Sequence, residues 1–565
     1  MKYIVYLLLF SIQCLGIPAI LSNNAIHHPI QANNGMVASQ EAIATNVGID
    51  ILKEGGNAID AAVAVGFTLA VTLPQAGNLG GGGFMMIYIA SENRTIALDF
   101  RETAPSMASK NMFLDKDNNV DTIKSRFTLL ASGVPGTVHG LMHALDNYGT
   151  LPRKKVIYPA YNLATKGFPV SPHLHKSLKL AKPRLSKQPY TRSIFYKNNN
   201  VPKINSLLKQ PDLAKSLIEI IRNGSNGFYT GKIAKLIHTF MENNNGLITR
   251  SDLKKYRSIE RTPVKTNYKK HEIYSMPPPS SGGITMAQIL NTISPYPLKE
   301  WGHNSAKSIH IMSQAMSLAY ADRSEWLGDS DFVSIPQKTL LSQPYTNSRQ
   351  FKINENFHTP SFEIKPGKIN NESNETTHYC IVDKWGNAVS VTTTLNFSYG
   401  SGIAVPGTGI LLNNEMDDFS AKPGAPNAYG LIGNEKNSIE PNKRMLSSMS
   451  PTIVIKDNKF YLATGSPGGS RIITTVVQIL SNVIDHNMNI AEATHAPRFH
   501  HQWQPDELRI EQFGFSKDTI NKLKSMNHTI VTKMAMGSTQ SIMKINNTLY
   551  GASDPRKPSA LTVGY

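Results

Sequence analysis

Apolar positions recur along this chain with two different periods, and the change from one to the other divides it. Over residues 40–72, Ile43, Val47, Ile51 and Leu52 fall at helical spacing, Gly55-Gly56-Asn57 breaks the run, and residues 58–71 read as a buried helix. The glycine run at 80–83 then feeds a core strand over 84–90. No Gly-Lys-Ser/Thr follows it, and it leads from helix to strand, the reverse of a dinucleotide fingerprint, so close packing of backbone explains it. Residues 151–252 are mostly helical and polar, with breaks at Gly167, Pro172, Gly224 and Gly246. Residues 305–326 predict an amphipathic helix, and 343–374 read as a long, polar, mobile segment. Strand patterns dominate afterwards: 379–382 and 387–395 joined by the turn Asp383-Lys384-Trp385-Gly386, then 452–456 and 459–464, with helices over 474–484 and 517–526. Periodicity therefore gives an α/β chain with mixed strands.

Composition narrows the class. The chain has 565 residues, 40% of them apolar and 17% charged, which is enough to bury a sizeable core and unlike a disordered chain. Lys2 followed by the uncharged apolar run 4–10 reads as a secretory signal cut near Ala19 or Ala25, so a periplasmic or secreted location is expected. No later apolar run has spanning length, and no stable membrane span is expected after signal removal. Cys14 lies in that leader, leaving Cys380 as a buried strand residue with no disulfide partner in the mature chain. The net charge of +18 resides mainly before Thr376, since 17 Lys+Arg face 14 Asp+Glu from there on. The basic residues are dispersed, without aromatic interleaving or zinc-finger spacing, which excludes a nucleic-acid platform and leaves a field that favours anionic small molecules.

The candidate chemistry lies at Glu375-Thr376-Thr377-His378, between a polar loop and a buried strand. A hydroxyl needs a base within hydrogen-bond reach. An α-amino group, with a pKa of roughly 7.7 to 8.0, suits that task. If the bond before it were cut, Thr376 would carry nucleophile and base on one residue. On the dipeptide alone, both threonines pass for β-branched strand-entry residues. Seven segments elsewhere add context: DFRETAP at 99–105, MPPPSSGG at 276–283, YADRSEWLG at 320–328, ESNETTHY at 372–379, LLNNEMDDFSAKPG at 411–424, PNKRMLSSMSP at 441–451 and TGSPGGSRII at 464–473. Together they resemble the γ-glutamyltranspeptidases, autoprocessing N-terminal-nucleophile hydrolases, from about Ala38 to Tyr565.

That resemblance implies a four-layer αββα sandwich formed jointly by two chains: a signal peptide at 1–25, a large subunit at 26–375 and a small catalytic subunit at 376–565. It implies Thr376 as nucleophile, hydrogen-bonded by Thr394, with Gly468 and Gly469 supplying oxyanion N–H groups. Arg101, aided by Ser447 and Ser448, would hold a donor's α-carboxylate. Asp418, with Asn396 and Glu415, would hold its ammonium, and Tyr429 would belong to a lid loop. Asp417 reads as a solvated turn residue. Glu415 stands where some family members have glutamine, and Glu375 where many have glutamine before the nucleophile.

The implied activity is self-cleavage before Thr376, then transfer of the γ-glutamyl group of glutathione, glutamine or related donors to water or to amino acid and dipeptide acceptors. No metal or organic cofactor is expected. His495, His500 and His501 cluster in sequence but lack acids at regular spacing. Two alternatives remain: a cephalosporin or glutaryl acylase of the same fold, and a non-catalytic periplasmic binding protein.

Overall fold

Alternation along the strand that contains residues 379–382 separates two cores. Tyr379 and Ile381 enter one apolar cluster, and Cys380 and Val382 enter another. The computed structural model describes residues 25–365, 375–422 and 435–565, apart from the side chains of Glu375 and Thr376. In chain order the main strands are β1 (Ile30–Ala32), β2 (Met36–Ser39), β3 (Gly82–Ile89), β4 (Arg94–Asp99), β5 (Ile259–Arg261), β6 (Val264–Tyr268) and β7 (His271–Ser275). They continue with β8 (Glu375–Val382), β9 (Ala388–Asn396), β10 (Thr452–Lys456), β11 (Lys459–Thr464), β12 (Gln540–Ile545), β13 (Thr548–Ser553) and β14 (Leu561–Gly564). One sheet has the order β1-β13-β12-β11-β10-β7-β6, the other β14-β2-β8-β9-β3-β4-β5.

Both sheets are antiparallel throughout, where the periodicity predicted mixed strands. The second sheet packs on α1 (Ala42–Lys53) and α2 (Ala58–Thr72), and the first on α3 (Gly282–Ile293), α4 (Ala306–Trp326) and α5 (Arg471–Ile484). The result is the expected four-layer αββα sandwich. Its two central strands, β8 and β9, are covered on both faces, and every residue of β9 is buried.

The sequence places α2 well because its start is capped. Asn57 and Asp60 form a capping box, and the Asp383 carboxylate of the β8–β9 turn accepts the Ala58 N–H at 2.9 Å. Three expectations need correction. Helix α4 is buried without a break from Ser308 to Ser324, so it is a covered layer rather than an amphipathic one. Pro172 opens the helix Pro172–Leu185, since its missing N–H costs nothing in the first turn. The segment read as mobile contains the helix Gln343–Gln350 and then buries His358, Ser361 and Ile364. The proposed signal residues 1–24 lie outside the described residues.

Candidate active site

Strand β9 holds the start of β8 from one side. Thr376 pairs with Thr394 and Glu375 with Asn396, so the ladder shifts register between Glu375 and Thr376. Opposite this bulge, Asn396 has φ +73°, a left-handed backbone that asparagine tolerates better than most residues. Its N–H donates to Thr394 Oγ1 at 2.8 Å. The glycine run sits directly behind: a Cβ on Gly81 would lie 2.0 Å from Thr394 O, and one on Gly82 would lie 2.4 Å from Glu102 Oε2. These glycines are present because backbone and carboxylate occupy the space of a side chain. The Thr376 side chain itself lies outside the described residues.

Next to this end of β9 stands a buried charge cluster. Arg101 Nη1 donates to Glu415 Oε2 at 2.7 Å and Nη2 to Asp418 Oδ2 at 2.5 Å, while Glu102 Oε2 is 3.7 Å from Nη1. Arg101 is buried together with these acids, and Asp99 is instead taken by Arg261 at 2.7 Å. Three acids share one guanidinium out of water. Burial pushes the Glu102 and Glu415 carboxyls up to about 8 against the pull of Arg101. Burial and the neighbouring Glu415 likewise hold Asp418 well above the ordinary carboxylate range. Glu415 Oε1, Asp418 Oδ1, Asn396 Oδ1 and Ser448 Oγ are buried without a hydrogen-bond partner among the described residues. Oxygens left over on two acids and one amide can accept hydrogen bonds from a compact donor such as an ammonium.

Ser448 and Ser447 follow Met445 and Leu446, whose carbonyls accept from Arg101 at 3.3 and 3.4 Å. The Ser447 carbonyl takes the Ser281 N–H at 2.6 Å, and Arg323 Nε donates to Ser281 Oγ at 2.8 Å. Three separated sequence motifs thus meet in one support. Ser447 Oγ is used locally, accepting the Met449 N–H at 3.2 Å.

The glycine turn follows β11, with Gly468 at φ +133° and Gly469 at +60°. It is tied down by Ser466 Oγ, which accepts the Ser538 N–H at 2.9 Å, by Arg471 Nε on Gly468 O at 3.1 Å, and by Tyr320, whose hydroxyl donates to Ser470 O. The His378 ring of β8 wedges against the start of this turn: a Cβ on Gly465 would meet His378 Cε1 at 2.4 Å. Burial lowers His378 to about 3, so the ring is neutral, and it contacts Thr392 Oγ1 at 2.9 Å and Cys380 Sγ at 3.2 Å.

The structure thus gathers Thr394, Asn396, Arg101, Glu415, Asp418 and Ser448 into one buried region. Tyr429 lies outside the described residues. Asp417 is not a solvated turn residue; it is buried and paired with Arg126 at 3.1 Å and Ser125 at 2.7 Å. Sequence reading missed Glu102 and His378, although both sit inside motifs it quoted. The three histidines do not converge: His495 Nδ1 donates to Ala491 O, His500 meets Thr474 and Gln502, and His501 meets Asp506.

Comparison with known proteins places the chain in a family. Residues 44–564 match the sequence profile of the γ-glutamyltranspeptidase family. The chain is 55% identical to a glutathione hydrolase proenzyme of Escherichia coli strain K12, over 96% of this chain and 93% of that protein. It is 38% identical to the corresponding proenzyme of Bacillus subtilis strain 168, covering 93% and 91%. Among solved structures, a cephalosporin acylase from Bacillus halodurans matches with a TM-score of 0.85 at 26% identity, covering 97% of this chain and 99% of that one. The γ-glutamyltranspeptidase of Helicobacter pylori matches at 45% identity and a TM-score of 0.57, covering 57% and 93%.

Proposed function

We propose that this chain, which belongs to the γ-glutamyltranspeptidase family and is a glutathione hydrolase and γ-glutamyltransferase, works through Thr376 after cutting itself between Glu375 and Thr376. In this reading residues 26–375 and 376–565 are the two subunits of one precursor. The freed α-amino group takes the Thr376 hydroxyl proton as the oxygen attacks the donor's γ-carbonyl. Gly468 and Gly469 N–H groups face the oxyanion. The leaving amine departs with the proton, leaving a γ-glutamyl ester on Thr376, and water or an amino acid acceptor then takes the acyl group. Export to the periplasm or beyond fits the leader read in the sequence, and no helix among the described residues is long and apolar enough to cross a membrane.

The observation that carries the reading is the set of unsatisfied acceptors around Arg101. A γ-glutamyl donor brings an α-carboxylate and an α-ammonium on one carbon. The guanidinium and Ser448 suit the first, and Glu415 Oε1, Asp418 Oδ1 and Asn396 Oδ1 suit the second. A glutaryl donor lacks the ammonium and would leave those acceptors unpaired in a buried site, which disfavours the acylase alternative. The direct test compares release of the amine from γ-glutamyl and glutaryl versions of one amide. Preference for the γ-glutamyl compound is expected, and equal rates would count against the assignment of Asp418, Glu415 and Asn396.

A further inference from the structure

Upstream of the bond to be cut, the last described stretch of chain is a coil, yet His358, Ser361 and Ile364 are buried in it. All three are held by residues 501–506 and their surroundings, which belong to the other side of the cut. Asp506 Oδ1 takes the His358 Nε2–H at 2.8 Å and the Ser361 hydroxyl at 2.8 Å, and Oδ2 takes the Ser361 N–H at 3.0 Å. Trp503 Nε1–H donates to Ser361 O at 2.9 Å and Ile364 O at 3.1 Å. The His358 N–H donates to Met526 O at 2.7 Å, and the ring stacks on His528 at 4.7 Å between centroids. Trp503 sits at φ +68°, a conformation that costs an indole-bearing residue roughly 1–2 kcal/mol, so the surrounding contacts fix it there.

His358, His501 and Asp506 also lie close enough for a cation. However, the Trp503 N–H donates to His501 Nδ1 at 3.1 Å, which commits the ring proton to Nε2, where it points at Asp506 at 3.2 Å. Asp506 is thus the acceptor of a hydrogen-bonded clamp. The same loop reaches the glycine turn, because Ser470 Oγ donates to Gln502 Oε1 at 2.8 Å.

We propose that Asp506 and Trp503 are positioning residues for self-cleavage: they anchor residues 358–364, so that the chain entering the Glu375–Thr376 bond starts from a fixed point, and they retain the upstream end on the downstream subunit after the cut. This rests on the self-cleavage reading above. Loosening the anchor adds conformational freedom to the segment that must present its peptide bond, which slows an intramolecular reaction without touching the pocket that binds donors.

The test follows conversion of full-length precursor to two chains after brief expression, in wild type, Asp506→Ala, Asp506→Asn and Trp503→Phe. Asp506→Ala and Trp503→Phe are expected to convert about ten- to a hundredfold more slowly, the cost of a small misplacement of reacting groups. Asp506→Asn, which keeps an acceptor oxygen, should recover part of the rate. The fraction that does mature should keep wild-type kcat and KM. In an uncut Thr376→Ala background, Asp506→Ala should also speed amide exchange at Ser361. Conversion at the wild-type rate, or a matched fall in kcat of the matured enzyme, would overturn the anchor. A wild-type precursor that never converts would instead defeat the self-cleavage reading itself.

Discussion

Arg101 Nη2 lies 2.5 Å from Asp418 Oδ2, in a contact where neither side chain is more than 4% exposed. A buried pair of this kind is a weak source of net stability, because desolvation offsets attraction. Here the guanidinium also faces Glu415 and Glu102, so one cation serves three buried acids whose carboxyls are held above the ordinary range. Such an arrangement makes sense for a site completed by an incoming ammonium.

Arg101→Lys retains the charge and loses the planar fork. The lost charged hydrogen bonds are worth about 1.5–3 kcal/mol each, so the KM for γ-glutamyl donors should rise by about ten- to a hundredfold. Conversion of the precursor should continue. Steady-state kinetics with glutathione checks both; an unchanged KM would remove Arg101 from the donor site.

The acids predict a pH dependence with a definite sign. Glu415 is pushed up to about 8 by burial, with Glu102 among the charges that raise it further. It must ionise to hold an ammonium, so donor KM should fall as pH rises toward that value. Glu102→Gln removes one neighbouring carboxylate and should move this fall to lower pH. Stability runs the other way. A carboxyl whose folded pKa lies above its unfolded one contributes fully below the unfolded value and loses that contribution as pH rises through about 8. Thermal melts of the unliganded protein should therefore weaken across that range, less so in Glu102→Gln.

Gly465→Ala tests the wedge between β8 and the glycine turn. The new methyl would stand 2.4 Å from His378 Cε1, in a ring hemmed in by Thr392 and Cys380. Relief requires the turn to move, at about 1–3 kcal/mol of stability. kcat should drop by about ten- to a hundredfold as Gly468 and Gly469, the proposed oxyanion donors, shift, with donor KM much less affected. A parallel loss of both would point to general unfolding.

Much of this is legible in the sequence. Strands β10 and β11 fall on the residues their alternation predicts, and the short turn between β8 and β9 already places Thr394 across from Thr376. What periodicity could not deliver were partners distant in the chain. The polarity of Asp417 reads as exposure until Arg126 is found beside it, 291 residues away in sequence. Likewise, residues 358–364 carry no pattern, because their order comes from Asp506 and Trp503 rather than from their own spacing. Helix α4 departs from the amphipathic expectation for a related reason: polar side chains on it meet packed layers, as Asp322 meets Gln288 at 3.0 Å.

The measurement that bears most directly on the account is the intact mass of the purified wild-type protein, with N-terminal sequencing of the smaller species, beside the Thr376→Ala variant. The account predicts a wild-type fragment comprising residues 376–565 and beginning Thr376-Thr377-His378, and a variant that stays one inactive chain. An active wild-type enzyme that remains uncut, or cleavage that persists in Thr376→Ala, would contradict it.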